Sequence, residues 1–211
     1  MSLEETERNT GLYRLVSIRQ INRFLRNALR MPGAQENMVR NHIKPSPMDS
    51  ILDLGCGDAS MLAYFPDVRY IGIDTNPQAI AEARNRFGSK GEFMVGDFSL
   101  AWNMADGQFD IIIAYGLIHH VTDTQALSIY QQAYRLLRPQ GRLVTLDPAF
   151  VHNQHPIAYL IGRLDAGAMV RYTDDYVRLG KEVFSTIHVE VRDDIQRIPS
   201  NSIFLECIKE G

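Results

Sequence analysis

The 211-residue chain is 45% apolar and 22% charged, the balance of an ordinary soluble globular domain, which excludes a disordered chain, a collagen-like repeat and a disulfide scaffold. A net charge of −3 gives no overall pull toward nucleic acid, and no apolar run reaches the ~18 residues of a membrane span. The polar, acidic start MSLEETERNT is unlike a secretory signal, and Cys56 and Cys207 stand far apart with no CxxC, so a cytoplasmic protein with free thiols is expected.

Charge is uneven along the chain. From Gly11 to Lys44 seven basic residues are offset by Glu36 alone, a balance of +6, while residues 45–211 carry −7. At about 100° per residue, Ile18, Ile21, Phe24, Leu25, Ala28 and Leu29 fall on one side of a helix, and Arg19, Arg23, Arg26 and Arg30 on the other. Pro32-Gly33 ends this helix, a second short one covers 34–43, and Pro45-Ser46-Pro47 makes a linker. Residues 1–47 therefore read as a helical arm or lid and 48–211 as the main domain. The arginine stripe is either a solvated face or a surface for an anionic substrate or for peripheral contact with membrane headgroups.

From residue 50 the chain alternates between strand and helix. Strands are expected at Ser50–Leu54, Arg69–Asp74, Gly91–Asp97, Phe109–Tyr115 and Arg142–Asp147; the Ile111-Ile112-Ile113 run suits a strand buried on both faces. Helices are expected at Ala59–Tyr64, at Pro77 to about Phe87 behind an Asn76 or Thr75 cap, and after the capping box Thr122-Asp123-Thr124-Gln125. Pro139-Gln140-Gly141 stops that last helix. Two further helices are expected near 154–165 and 173–184, making 150–185 a helical cap inserted over the substrate. Strands at Thr186–Val191 and Ser202–Ile208 flank a hairpin at Pro199-Ser200-Asn201. The expected fold is α/β: a Rossmann-like, mostly parallel seven-stranded sheet with its last strand antiparallel and helices on both faces.

In such a sheet the ligand sits beyond the carboxyl ends of the strands. The first turn, Asp53-Leu54-Gly55-Cys56-Gly57-Asp58-Ala59, has small residues at 55, 57 and 59 that let a ligand approach the backbone. Asp74 ends the second strand, where a carboxylate accepts ribose hydroxyls, and Asp97-Phe98 ends the third, where an acid beside a ring reads an adenine edge. A dinucleotide fingerprint fails, because Ser60 stands where its third glycine belongs, and there is no P-loop. Asp53 would repel a pyrophosphate but suits an ammonium, which favours the methionine end of S-adenosylmethionine.

These stretches resemble the motifs of class I S-adenosylmethionine-dependent methyltransferases, in the small-molecule branch (methyltransferase type 11/12, quinone-methylase-like). Ile51–Ala59 is similar to their first motif, with Ala59 where glycine is frequent. Gly72-Ile73-Asp74, Gly96-Asp97-Phe98, Phe109–His120 and Leu137–Leu143 follow in register over about 48–150. The resemblance implies that Asp53, Gly55, Cys56 and Gly57 line the methionine part, Asp74 and Thr75 the ribose, and Asp97 and Phe98 the adenine. It places Ala114 and Tyr115 under the sulfonium, with S-adenosylhomocysteine as product.

Transfer from a sulfonium is a direct displacement, in which alignment does most of the work and a base is needed only if the acceptor must lose a proton. His119, His120 and Tyr115 are the catalytic candidates, with one histidine pointing in and the other packing. Asp147, Arg163, Arg171 and Tyr172 are candidates for holding the acceptor; Arg163 and Arg171 are equally suited to ion pairs with Asp165 or Asp174. His152 and His155 with Asp147 match no strong metal spacing, so no metal is expected. The segment after the fourth strand lacks an [N/D]-P-P-[Y/F] run and a nucleophilic cysteine, which argues against nucleic-acid bases and leaves a small-molecule or lipid/glycan-linked acceptor. The competing functions are a nucleotide-dependent oxidoreductase and a non-catalytic S-adenosylmethionine-binding protein. Monomer and homodimer are equally compatible with the sequence.

Overall fold

The computed structural model describes residues 31–164 and 169–211, without the side chain of Leu164. The arginine-striped helix of the arm therefore lies outside the described residues, as does Asp165.

The apolar runs form β1 (Ser50–Leu54), β2 (Arg69–Asp74), β3 (Gly91–Val95), β4 (Phe109–Tyr115) and β5 (Leu137–Phe150), all mutually parallel. β6 (Arg171–Tyr172) adds a two-residue parallel pair to the end of β5. β7 (Thr186–Arg192) and β8 (Ser202–Ile208) complete a sheet of order β3-β2-β1-β4-β5-β8-β7, with β8 antiparallel to both neighbours. The chain leaves β1 toward β2 and β3, then returns to place β4 on its other side, so the carboxyl ends of β1 and β4 border the crevice where strand order reverses.

Both faces are covered, as the unbroken burial of β1 and the isoleucines of β4 require. On one face Leu52, Leu54, Ile112 and Ala114 meet Ala126, Ile129, Tyr130 and Ala133 of α3 (Asp123–Leu136). Tyr176 and Leu179 of α5 (Thr173–Lys181) join them. On the other face Ile51, Ile111 and Ile113 meet Ile80, Ala83 and Phe87 of α2 (Pro77–Phe87). Met38, Val39 and Ile43 are buried there too, so the short helix α1 (Ala34–Met38) and the π turn that continues it to Ile43 are built into this core. The helical stretch expected near 154–165 is α4 (Pro156–Leu164).

The expected caps form. Asn76 accepts from the amides of Gln78 and Ala79 with Pro77 in the first turn, and Thr122 with Gln125 closes the capping box.

Four local expectations change. Ala59–Tyr64 is a 3₁₀ turn over Ser60–Tyr64: Ala59 is left-handed (φ 51°), and Pro66 forces Phe65 into extended backbone. β3 stops at Val95 because Asp97 leaves the ladder to cap the next turn, accepting from the Ser99 amide. Pro139-Gln140-Gly141 interrupts β5 rather than preceding it, since Leu137 already pairs with Phe109 before the register shifts and resumes at Arg142. β7 and β8 are joined by residues 193–201, too long for a tight hairpin turn.

Candidate active site

The first turn is locked to β2 from below. The amides of Gly55 and Cys56 both donate to the Ile73 carbonyl (2.8 and 3.1 Å), and that of Gly57 donates to Asp74 Oδ2 at 2.8 Å. Gly55 (φ 79°) and Gly57 (φ 56°) adopt a left-handed backbone that a side chain would strain, and a Cβ on Gly57 would meet open space. The turn therefore presents backbone, not side chains, to whatever lies above it.

Asp53 sits beneath this turn, 2% exposed. Tyr70 donates its hydroxyl to Asp53 Oδ2 at 2.6 Å, whereas Oδ1 is buried without a hydrogen-bond partner among the described residues. Burial pushes the Asp53 carboxyl up to about 7; the Tyr70 hydrogen bond opposes the rise and the Asp74 carboxylate adds to it. Gly72 stands opposite Asp53 in the ladder, and a Cβ there would lie 2.8 Å from Cys56 Sγ and 3.0 Å from the Tyr70 ring. Gly72 thus makes the room that lets Tyr70 reach Asp53. Burial, with the Asp53 and Asp74 carboxylates, holds the Cys56 thiol far above its ordinary range, so it packs as a small apolar group.

At the next strand ends, Asp74 also accepts from the Asn76 amide through Oδ1 at 2.8 Å, with Thr75 exposed beside it. Each Asp74 oxygen retains a second lone pair for a hydroxyl donor. Asp97 is exposed and accepts from the hydroxyl and amide of Ser99, which hold its carboxyl below the usual carboxylate range. Phe98 lies beside Trp102, ring centroids 5.7 Å apart. The residues fit the expected ligand: a buried, half-partnered acid for an ammonium, a carboxylate for a ribose, and an aromatic shelf for a base.

On the other side of the crevice, β4 ends with Ala114 enclosed in the core and Tyr115 half-buried. Gly116 (φ 66°) turns the chain into a 3₁₀ segment, Ile118–His120. His119 is 4% exposed and His120 exposed, their rings 3.9 Å apart. His119 Nδ1 lies 2.7 Å from Asp147 Oδ1, and the His119 amide donates to the same oxygen at 3.1 Å. Asp147 Oδ1 thus accepts from the amide and, as a carboxyl oxygen, from Nδ1.

The acceptor candidates separate. Asp147, expected near the acceptor, is 1% exposed and faces His119 instead, with Oδ2 buried and unpartnered among the described residues. The Arg171 guanidinium is held by Asp123 and by backbone carbonyls, with no ion pair to Asp174; Asp165 lies outside the described residues. Tyr172 stacks on His152 (5.1 Å, 18°) and packs on Phe150, and Arg163 is exposed on the last turn of α4. Ile157, Tyr159, Leu160, Met169 and Tyr172 are each exposed. Tyr70 and Asp123 were not singled out in the sequence. Tyr70 had a faint signal, lying two residues before a strand glycine on the face that Asp53 occupies; Asp123 was visible only as a first-turn acid.

Comparison with known proteins agrees with this geometry. A family model described as a methyltransferase domain matches residues 51–141. An uncharacterized methyltransferase of Schizosaccharomyces pombe is 27% identical over 191 residues, 82% of this chain and 72% of that one. The demethylmenaquinone methyltransferase of Thermus thermophilus is 35% identical over 46% of each chain. A Haemonchus contortus phosphoethanolamine N-methyltransferase, solved with S-adenosyl-L-methionine, superposes with a TM-score of 0.68 at 15% identity, over 84% of this chain and 52% of that one. The chain spans less than half the length of the curated relatives it matches at over 30% identity. With its motifs in register on this sheet, the chain carries, over residues 51–141, a stretch that matches a methyltransferase domain.

Proposed function

We propose that the protein transfers a methyl group from S-adenosylmethionine to a small, largely apolar or lipid-linked acceptor. The observation that carries the donor side is Asp53: a buried carboxyl group with one oxygen unpartnered among the described residues, beneath a backbone-lined turn. Asp53 with the turn 55–57 would hold the methionine end, Asp74 and Thr75 the ribose, and Asp97 with Phe98 the adenine. The bound cofactor supplies an electrophilic methyl group on a sulfonium.

The protein's own part is then alignment, the exclusion of water and, for an acceptor bearing an acidic hydrogen, removal of a proton. Asp147 fixes the His119 tautomer and supports positive charge on its ring. His119 and its neighbour His120 are therefore the proton acceptors proposed for the acceptor side, with Tyr115 at the strand end beside them.

The exposed apolar side chains Ile157, Tyr159, Leu160, Met169 and Tyr172 support an apolar acceptor, and Arg163 offers a cation for an acidic group on it. Demethylmenaquinone and 27-O-demethylrifamycin SV, the acceptors named for the Thermus thermophilus relative and for one of Amycolatopsis mediterranei, are small molecules that this proposal accommodates. No described helix is long and apolar enough to cross a membrane. We place the reaction in the cytoplasm, with residues 1–47 and 150–185 as the parts that build the acceptor side. Incubation of the protein with extract and methyl-tritiated S-adenosylmethionine tests the acceptor class. Label should partition into the organic-soluble, low-molecular-weight fraction; label confined to protein or nucleic acid would contradict it.

A further inference from the structure

Arg171 is 8% exposed in a strand only two residues long. Each of its guanidinium nitrogens is engaged. Nε donates to Asp123 Oδ1 at 2.8 Å, Nη1 to the carbonyls of Ile118 (2.8 Å) and Met169 (3.1 Å), and Nη2 to the carbonyl of Val121 at 2.7 Å. The Tyr176 ring lies 5.6 Å from the guanidinium, and the Tyr176 hydroxyl donates to the Pro148 carbonyl, one residue beyond Asp147.

The partners matter for where they lie. Ile118 and Val121 bracket His119 and His120, and the Met169 amide donates to the His119 carbonyl. The imidazole pair is thus held through Asp147 on one side and through Arg171 on the other. Asp123, at the start of α3, anchors the guanidinium to a rigid element.

We propose that Arg171 is the positioning residue of the His119–His120 turn, fastening that turn to residues 169–172 so that the two move as one unit. The functional weight of this device rests on the assignment of the turn to the acceptor side. A guanidinium is required because its donors fan out in one plane toward four separate acceptors; an ammonium concentrates three donors at one point and cannot span them. Removing it takes the charged donor away from the Ile118 and Val121 carbonyls in a buried place.

The test is nuclear magnetic resonance of the ligand-free full chain with ¹⁵N-labelled histidine, the His119 Nδ1–H signal being assigned by its loss in His119→Gln. In Arg171→Ala its solvent exchange should accelerate by at least about tenfold as the turn opens locally. Added guanidinium ion should reverse the change, added ammonium should not, and Arg171→Lys should resemble Arg171→Ala. Unchanged exchange in Arg171→Ala, or full restoration by lysine, overturns the proposal. If Arg171→Ala does not fold, Asp123→Ala removes one partner from the exposed side. It should accelerate exchange at His119 and at the Met169 amide while leaving the Gly57 amide unchanged; uniform acceleration, or none, overturns the proposal. A wild-type protein that fails to bind S-adenosylhomocysteine would instead defeat the donor-side assignment and leave these exchange results standing.

Discussion

Asp74→Ala is expected to weaken S-adenosylhomocysteine binding by roughly 1–3 kcal/mol, about five- to 150-fold. Two losses combine at this residue. The carboxylate is the acceptor assigned to the ribose hydroxyls, and its oxygens also hold the amides of Gly57 and Asn76 at 2.8 Å each. Alanine leaves the Gly57 amide without its acceptor and frees the turn that the methionine part would rest on. Asp74→Asn should fall between wild type and alanine, since its single carbonyl oxygen replaces only one of the two acceptors. Calorimetric titration measures this directly, and unchanged affinity in Asp74→Ala would contradict the ribose assignment.

The second large effect is a dependence of cofactor affinity on pH that originates at Asp53. In the ligand-free protein its carboxyl titrates at about 7, chiefly because it is buried. An ammonium placed beside Oδ1 favours the ionised form, so binding expels the proton whenever the pH is below that value. Affinity for S-adenosylhomocysteine should therefore rise by up to about tenfold per pH unit on approaching 7 from below, then level off. Below that plateau the apparent binding enthalpy should vary with the ionisation enthalpy of the buffer. Asp53→Asn should bind more weakly and lose the pH dependence. An affinity that is flat between about pH 5.5 and about pH 8 in the wild type would contradict the account.

The same residue sets a stability trend of opposite sign. Its folded-state pKa is raised above the ordinary carboxyl value, so the folded chain binds this proton more tightly than the unfolded chain does. Asp53 therefore favours the ligand-free fold at low pH, and its contribution is lost as pH rises from about 4 through about 7, on the order of 4 kcal/mol in full. The cofactor offsets this cost by neutralising the charge that burial penalises.

Much of the sheet was legible because its signals are local. The Ile111–Ile113 run, the Asn76-Pro77 start and the Thr122–Gln125 box each specify their element within a few residues, and all three form as expected. Ala59 and Pro139 misled because their conformations are set from outside. Ala59, itself buried, is left-handed where the first turn ends, and Pro139 lies inside a strand whose pairing is fixed by Phe109 and Ile111. The proposed donor side draws on the glycines and the acids at the strand ends, which the sequence displays locally. What the sequence did not disclose was which group meets which. That Asp147 faces His119 across 28 positions, that Tyr70 holds Asp53, and that Arg171 holds the 118–121 backbone are contacts between distant segments. No periodicity encodes them.

The central claim is that the turn at 53–59, with Asp74 and Asp97, binds S-adenosylmethionine and not a dinucleotide. Calorimetric titration of the full chain with S-adenosylhomocysteine and, separately, with NAD tests it most directly. Saturable binding of S-adenosylhomocysteine at one site per chain, with no heat from NAD, is the predicted result. Saturable binding of NAD with none of S-adenosylhomocysteine would contradict it.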